Sequence, residues 1–199
     1  MLTLAFDTAT DVATVAVVRD GDVLGERASR AVRVLEDVEE ILGEAGLRPA
    51  DVEGLVVGTG PGSYTGLRMG LITARTLAFS LGVPVAGVST LDALAAGAPG
   101  AVPVIDGRRR EVFTLLHGKP SCVPAADLAV EAGRGYVGDG AVRHREQIEA
   151  AGGTVAPDEA REHVPWARHH ASLARDFGPA EAAEPIYLRL PDAERAVQR

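Results

Sequence analysis

Apolar and polar positions change period several times along the chain. Residues 2 to 7 alternate, with Leu2, Leu4 and Phe6 on one side, and residues 12 to 18 (VATVAVV) form a second β-rich run after the turn-like DTATD. A third run, Val23 to Arg27, follows Asp20 and Gly21, a strong hairpin signal. These predict a three-stranded antiparallel meander. Helical spacing then takes over, because Val34, Leu35, Val38, Ile41, Leu42 and Ala45 recur every third or fourth residue. Ser29 is the expected cap of this first helix and Gly46 its stop. Leu55 to Val57 reads as a short strand and GTGPGSYTG as a loop. Leu67 to Leu81 reads as a long helix ended by Gly82 and Pro84, and VPVAGVST as a strand entering a short helix, Leu91 to Ala96.

The stretch from Gly97 to Pro103 is rich in Ala, Gly and Pro, and strand signals restart after it. Val102 to Ile105, a turn through Asp106 and Gly107, and Glu111 to His117 predict a hairpin. Gly135 to Gly140 predicts a strand and tight turn, and Ala141 to Ala151 and Pro165 to Phe177 predict helices. No internal repeat is visible. Antiparallel strands followed by alternating strands and helices predict a mixed-sheet α/β fold, with a lobe boundary near residue 100 dividing residues 1–100 from a smaller lobe, 101–199.

Composition narrows the function. The chain has 20 Lys plus Arg against 28 Asp plus Glu, a formal charge of -8, which works against autonomous DNA or tRNA binding. Lys119 is the single lysine, so a Walker A loop, a protein-kinase lysine and a Schiff-base lysine have no candidate; Lys119 itself lies in the turn-like HGKPS. Cys122 is the single cysteine and leaves no internal disulfide, CxxC or metal finger. No apolar run is long enough to cross a bilayer, and MLTLAFDTAT lacks a secretory pattern, so no membrane association and a cytoplasmic location are expected.

Two strings carry candidate chemistry. Asp7, Thr8 and Thr10 stand at the first hairpin, where an acidic strand end followed by hydroxyls is the arrangement that actin-like ATPases use for metal and phosphate. Ala9 stands where close backbone approach calls for glycine, so the hairpin is read as degenerate, or as a turn with a local Asp hydrogen bond. The string GTGPGSYTGLRMG offers Gly60, Pro61, Gly62, Ser63, Thr65, Gly66 and Arg68 as a glycine loop before a helix, either an anion cradle or a structural turn. It matches neither a dinucleotide fingerprint nor a nucleophile elbow. His163, His169 and His170 lack metal-ligand spacing and are read as surface residues. Arg108, Arg109 and Arg110 are read as a solvated hairpin tip. No metal ligands, catalytic residues or cofactor are assigned.

The opening FDTATDVATVAVV, the loop GTGPGSYTGLRMG, GVSTLDALA, VIDGRRREVF and the late IYLR together resemble the bacterial tRNA threonylcarbamoyladenosine biosynthesis family TsaB, also called YeaZ. The resemblance is dense over residues 1–116 and thin over 118–180. It implies a two-lobed actin-like fold of the acetate and sugar kinase, Hsp70 and actin type. It also implies a non-catalytic partner role in making N6-threonylcarbamoyladenosine at position 37 of ANN-decoding tRNAs. The implied partners are a TsaD-like catalytic subunit and a TsaE-like ATPase, with a homodimer when alone and tRNA met only through the complex. Members often carry a His and Ser near the start of the first helix, where this chain has Ser29, Arg30, Ala31 and Val32. The competing readings are a self-sufficient ATPase or phosphotransferase of this fold and a glycopeptidase.

The helices suggest where a partner docks. Gly66, Gly70, Ala74 and Ala78 recur every fourth residue as a ridge with almost no side chain, and Glu36, Glu40 and Glu44 form a like-charge stripe near Arg33. Arg33, Glu36, Glu40 and the small-residue ridge are therefore the expected interface. On this reading Gly70→Leu breaks the complex and leaves the fold intact, Asp7→Ala is nearly silent, and Gly62→Val strains a positive-φ turn.

Overall fold

The computed structural model describes residues 1–189; the last ten residues, which the expected division into 1–100 and 101–199 includes, lie outside the described part. The chain opens with β1 (Leu2–Asp7), β2 (Ala13–Arg19) and β3 (Asp22–Ser29), then α1 (Val34–Glu44), β4 (Gly54–Gly58), α2 (Tyr64–Leu81), β5 (Val85–Val88) and α3 (Thr90–Gly97). It continues with β6 (Val102–Asp106), β7 (Glu111–Leu116), β8 (Lys119–Pro124), β9 (Gly135–Val137), α4 (Asp139–Arg143), α5 (Arg145–Ala150), β10 (Thr154–Val155) and α6 (Ala167–Leu173).

The strands form two five-stranded sheets, ordered β3-β2-β1-β4-β5 and β10-β9-β6-β7-β8. In the first, β1 pairs antiparallel with β2 and parallel with β4; in the second, β6 pairs antiparallel with β7 and parallel with β9. Both sheets thus repeat one topology, an internal duplication that the sequence does not display. The fold is the two-lobed, actin-like α/β arrangement with mixed sheets flanked by helices.

Alternation along β1 explains how its sheet is covered on both faces. Leu2, Leu4 and Phe6 join Val15, Val17, Leu55 and Val57 in a core closed by Val38, Ile41 and Leu42 of α1 and Leu71, Ala74 and Ala78 of α2. Ala5, Ala16, Val56 and Ala86 occupy the opposite face, where their small side chains admit α6 through Ala167 and, just after the helix, Ala174. So α6, late in the chain, packs on the first sheet. Reciprocally, Leu91 and Leu94 of α3 pack with Ile105, Phe113 and Val137 of the second sheet. The lobes therefore exchange one helix each.

Several local expectations change. Ser29 ends β3 and bonds Asp37 instead of capping; α1 begins after a 3-10 turn, Ala31–Arg33, and its N-cap Arg33 makes no side-chain cap bond. The second helix starts at Tyr64, three residues before the expected Leu67, because the Ser63 side chain accepts from the Gly66 N–H. Lys119 begins β8, a strand missed because the turn lies at His117 and Gly118. The helix expected over 141–151 breaks at His144 into α4 and α5, and the one expected over 165–177 is confined to α6. Between β8 and β9 stands only a short 3-10 turn, Ala125–Asp127, where the first lobe carries α1.

Candidate functional site

The strand ends of the two lobes face each other across a cleft bordered by Thr10, Asp11, Gly62, Tyr64, Asp106 and Arg108 among others. The Asp7 hairpin and the glycine loop meet here by backbone packing. The Ser63 N–H donates to Ala9 O at 2.7 Å, and Thr8 Oγ1 donates to Gly66 O at 2.7 Å. A Cβ added at Gly62 would come within 3.0 Å of three Ala9 atoms, and one at Gly66 would overlap Thr8 O. Glycine is required because the hairpin carbonyls occupy the space of a side chain. Gly62 itself has no positive φ, contrary to expectation; the left-handed position is Gly60, φ 86°, which precedes the buried Pro61. Thr10 bonds Val12 O, Thr65 is exposed, and Arg68 donates to the Tyr64 hydroxyl at 2.8 Å.

Asp7 does not reach the cleft. Its residue is 1% exposed, and its carboxylate accepts from Thr90 Oγ1 at 2.6 Å and from the Ala9 N–H at 2.5 Å. His170 Nε2 lies 2.7 Å from Asp7 Oδ2, an ionic approach whose N–H is not aimed well enough to count as a hydrogen bond, and His170 is 0% exposed. Burial pushes the Asp7 carboxyl up, but the His170 charge, helped by Thr90 and Ala9, brings it below the usual carboxylate range. Asp7 of β1, Thr90 of α3 and His170 of α6 thereby pin the exchanged helices together. His170 and His163 are corrections to the surface reading. His163 is also buried, accepting from the Gly138 N–H at 3.1 Å on Nδ1 and facing Ala156 O at 3.1 Å with Nε2. The neighbour spacing of His169 and His170 hid the pair because only His170 faces the sheet.

Arg108 to Arg110 are not a free hairpin tip. All three have positive φ, 60°, 52° and 62°, and Arg108 Nη2 grips both carboxylate oxygens of Asp11 at 2.8 and 2.7 Å across the cleft. Arg108 also contacts Asp106 Oδ2 at 3.2 Å, the same oxygen that Arg143 holds at 3.0 Å. Beneath them Asp139 accepts from the Asp106 N–H at 2.9 Å, and burial pushes its carboxyl above the usual range. The space left is about 140 Å³. No group of three or more His, Cys, Asp or Glu able to hold a metal occurs among the described residues.

The expected small-residue interface points inward. Gly66, Gly70, Ala74 and Ala78 are buried, and a Cβ at Gly70 would overlap Thr8 Oγ1. The period was right and the face was wrong, because a groove without side chains is what close packing on the Thr8 hairpin needs. The Glu stripe is also neutralised from within: Arg33 holds Glu36 at 3.1 Å and Glu40 at 3.5 Å, and Arg27 of β3 reaches Glu40 at 2.5 Å and also pairs with Glu44. Large apolar side chains also stand open on and beside α1 and α2: Val32 (75% exposed), Leu35 (56%), Ile72 (59%) and Phe79 (90%). Phe79 was not singled out from sequence, since one aromatic at the end of an apolar helix reads as core.

The family model described as tRNA N6-adenosine threonylcarbamoyltransferase, TsaD, matches residues 11–123. The tRNA threonylcarbamoyladenosine biosynthesis protein TsaB of Bacillus subtilis is 32% identical, over 98% of this chain and 96% of its own length. An uncharacterized protein of Mycobacterium tuberculosis is 36% identical over 96% and 93%. The solved structure of YeaZ from Pseudomonas aeruginosa superposes with a TM-score of 0.78 at 30% identity, covering 94% of this chain and 99% of the other.

Proposed function

Because the chain belongs to the TsaB (YeaZ) family, we propose that it serves N6-threonylcarbamoyladenosine formation at position 37 of ANN-decoding tRNAs as a non-catalytic subunit that docks on and activates a TsaD-like subunit, with a TsaE-like ATPase in the same complex. The observation that carries the non-catalytic part is the capture of the hairpin carboxylate. Asp7 is engaged by His170 and Thr90 inside the core, and Arg108 spans the cleft to grip Asp11. A self-sufficient ATPase of this fold needs that carboxylate in the cleft and room for phosphates. Docking is supported by the exposed large apolar side chains Val32, Leu35, Ile72 and Phe79, which a partner surface would remove from water. The same face serves a second copy when the catalytic subunit is absent.

Depletion of the protein in its host, followed by mass spectrometry of nucleosides from total tRNA, tests the role. Loss of the threonylcarbamoylated adenosine is expected, with restoration by wild-type protein; an unchanged level refutes it. Isothermal titration of the isolated chain with Mg-ATP tests the non-catalytic part, and micromolar binding would overturn it.

A further inference from the structure

Two of the chain's three tyrosines meet at the rim of the cleft, at a spot that neither the core nor the proposed docking face uses. Tyr64 opens α2, and Tyr187 lies in the C-terminal segment held by Ile186 N–H on Thr59 O at 2.8 Å. Their ring centroids are 5.5 Å apart with the planes at 33°. Although the rings touch, Tyr64 remains 42% exposed and Tyr187 47%, so the contact does not bury them. The Arg68 guanidinium stands 5.4 Å from the Tyr64 centroid and donates to its hydroxyl. Arg108 and Arg189 border the cleft beside Tyr64, and their neighbouring carboxylates are already engaged, Asp11 by Arg108 and Glu111 by Arg189 at 2.8 Å. Arg68 has no carboxylate partner among the described residues.

We infer that Tyr64 and Tyr187 form a stacking platform for an unpaired RNA base, with Arg68 placed for the adjoining phosphate. Every base offers a π-face to an aromatic ring, and guanidinium groups beside the ring meet the backbone charge. The surroundings favour RNA over an apolar protein segment. They are arginine, Ser63 and Thr65, in contrast to the aliphatic Val32, Leu35 and Ile72 of the docking face. A net charge of -8 keeps this contact weak in the isolated chain, so the platform acts when a partner holds the RNA nearby. That the RNA is a tRNA rests on the proposed function.

The test uses the chain assembled with its own organism's TsaD-like subunit and an unmodified tRNA transcript carrying 4-thiouridine. Ultraviolet crosslinking is expected on peptides containing Tyr64 or Tyr187. Tyr64→Ala and Tyr187→Ala are expected each to weaken tRNA binding about tenfold, with Tyr64→Trp restoring it, and Arg68→Ala to flatten its salt dependence. Thermal melting and assembly with the catalytic subunit should stay as in the wild type, because both rings are exposed. Wild-type tRNA affinity in the assembled alanine variants, or crosslinks confined to the partner, overturns the platform. Loss of assembly in these variants overturns it too, by assigning the rings to a protein contact. A wild-type complex that binds tRNA through these rings but never modifies it would instead overturn the functional reading.

Discussion

Asp7→Ala removes one member of a pair that the fold has wholly desolvated. His170 is 0% exposed and Asp7 1%, so no water can replace the lost carboxylate. The remaining partner of His170 is Trp166 O, 3.4 Å from Nδ1. Breaking a buried ion pair from one side costs about 3–5 kcal/mol. Thr90 Oγ1 still has the Gly60 N–H at 3.1 Å, but its own proton loses its acceptor, as does the Ala9 N–H, and each unsatisfied buried donor costs about 1–3 kcal/mol. These terms overlap, and adaptation of the turn lowers them, so about 3 kcal/mol is expected in total. For a chain of this size that is a melting-temperature drop of about 6–12 °C. The outcome reverses the near-silence expected from sequence.

Two measurements separate the pair from simple loss of volume. A double-mutant cycle with His170→Ala, read by urea unfolding, should give a coupling of at least about 1 kcal/mol, since the residues share one contact. The pH dependence follows from the lowered Asp7 carboxyl. A depressed carboxylate contributes stability above its unfolded value, near pH 3.9, and loses it as pH falls through the folded value. Wild-type protein should therefore lose stability below about pH 4 more steeply than Asp7→Asn. A melting temperature for Asp7→Ala within about 2 °C of wild type, together with a coupling under about 0.5 kcal/mol, would falsify the reading of Asp7 as a core clamp.

Gly62→Val should lower stability by about 1–3 kcal/mol in urea unfolding, now because its side chain strikes Ala9; wild-type stability would mean that the hairpin yields freely. Gly70→Leu should lower the melting temperature itself, since its side chain enters the Thr8 hydroxyl. Phe79→Asp should instead leave circular dichroism and melting unchanged and abolish co-elution with the TsaD-like subunit; retained co-elution removes α2 from the docking face. Arg108→Ala should cost no more than about 1 kcal/mol, because the Arg108–Asp11 pair is exposed, and a larger loss in chemical unfolding would show that the clasp supports the fold. Asp139→Asn should be more stable than wild type at neutral pH and lose that advantage below about pH 4, the unfolded value of an aspartate held up by burial; equal stability at both pH values refutes the assignment.

What the sequence disclosed and concealed follows from the range of the interactions. β1, β2, β4 and α2 were readable because alternation and helical spacing are local, and Gly82 at φ 68° ends α2 as a glycine stop should. The hairpin and glycine loop were found as separate candidates; that they interlock is a contact between residues 8 and 66, which no local pattern encodes. His170 joins Asp7 across 163 residues and Thr90 joins it across 83, so the buried polar cluster had no sequence signature. The face of the Gly66 to Ala78 ridge was misjudged for a related reason. Small residues at every fourth position state that something approaches closely, and they do not state whether it is a partner or the chain's own hairpin.

The duplication gives this cluster its functional meaning. Asp7 ends β1 and Asp106 ends β6, equivalent strands of the two sheets, with Asp7 buried in the core and Asp106 at the cleft. A carboxylate withdrawn from water is costly unless a charge or a hydrogen bond answers it. Here each is answered by a basic group of the chain itself, Asp7 by His170 and Asp106 by Arg108 and Arg143. Of these contacts the Asp7 cluster joins α3 and α6 to β1, and Arg108 also reaches across the cleft to Asp11, so the groups that answer the carboxylates also link the two halves. A catalytic cleft of this kind must open and close about its ligand, whereas one filled by its own ion pairs favours a fixed shape. A fixed shape suits a subunit whose outer face, presenting Val32, Leu35, Ile72 and Phe79, has to meet a partner without first paying for an interlobe rearrangement.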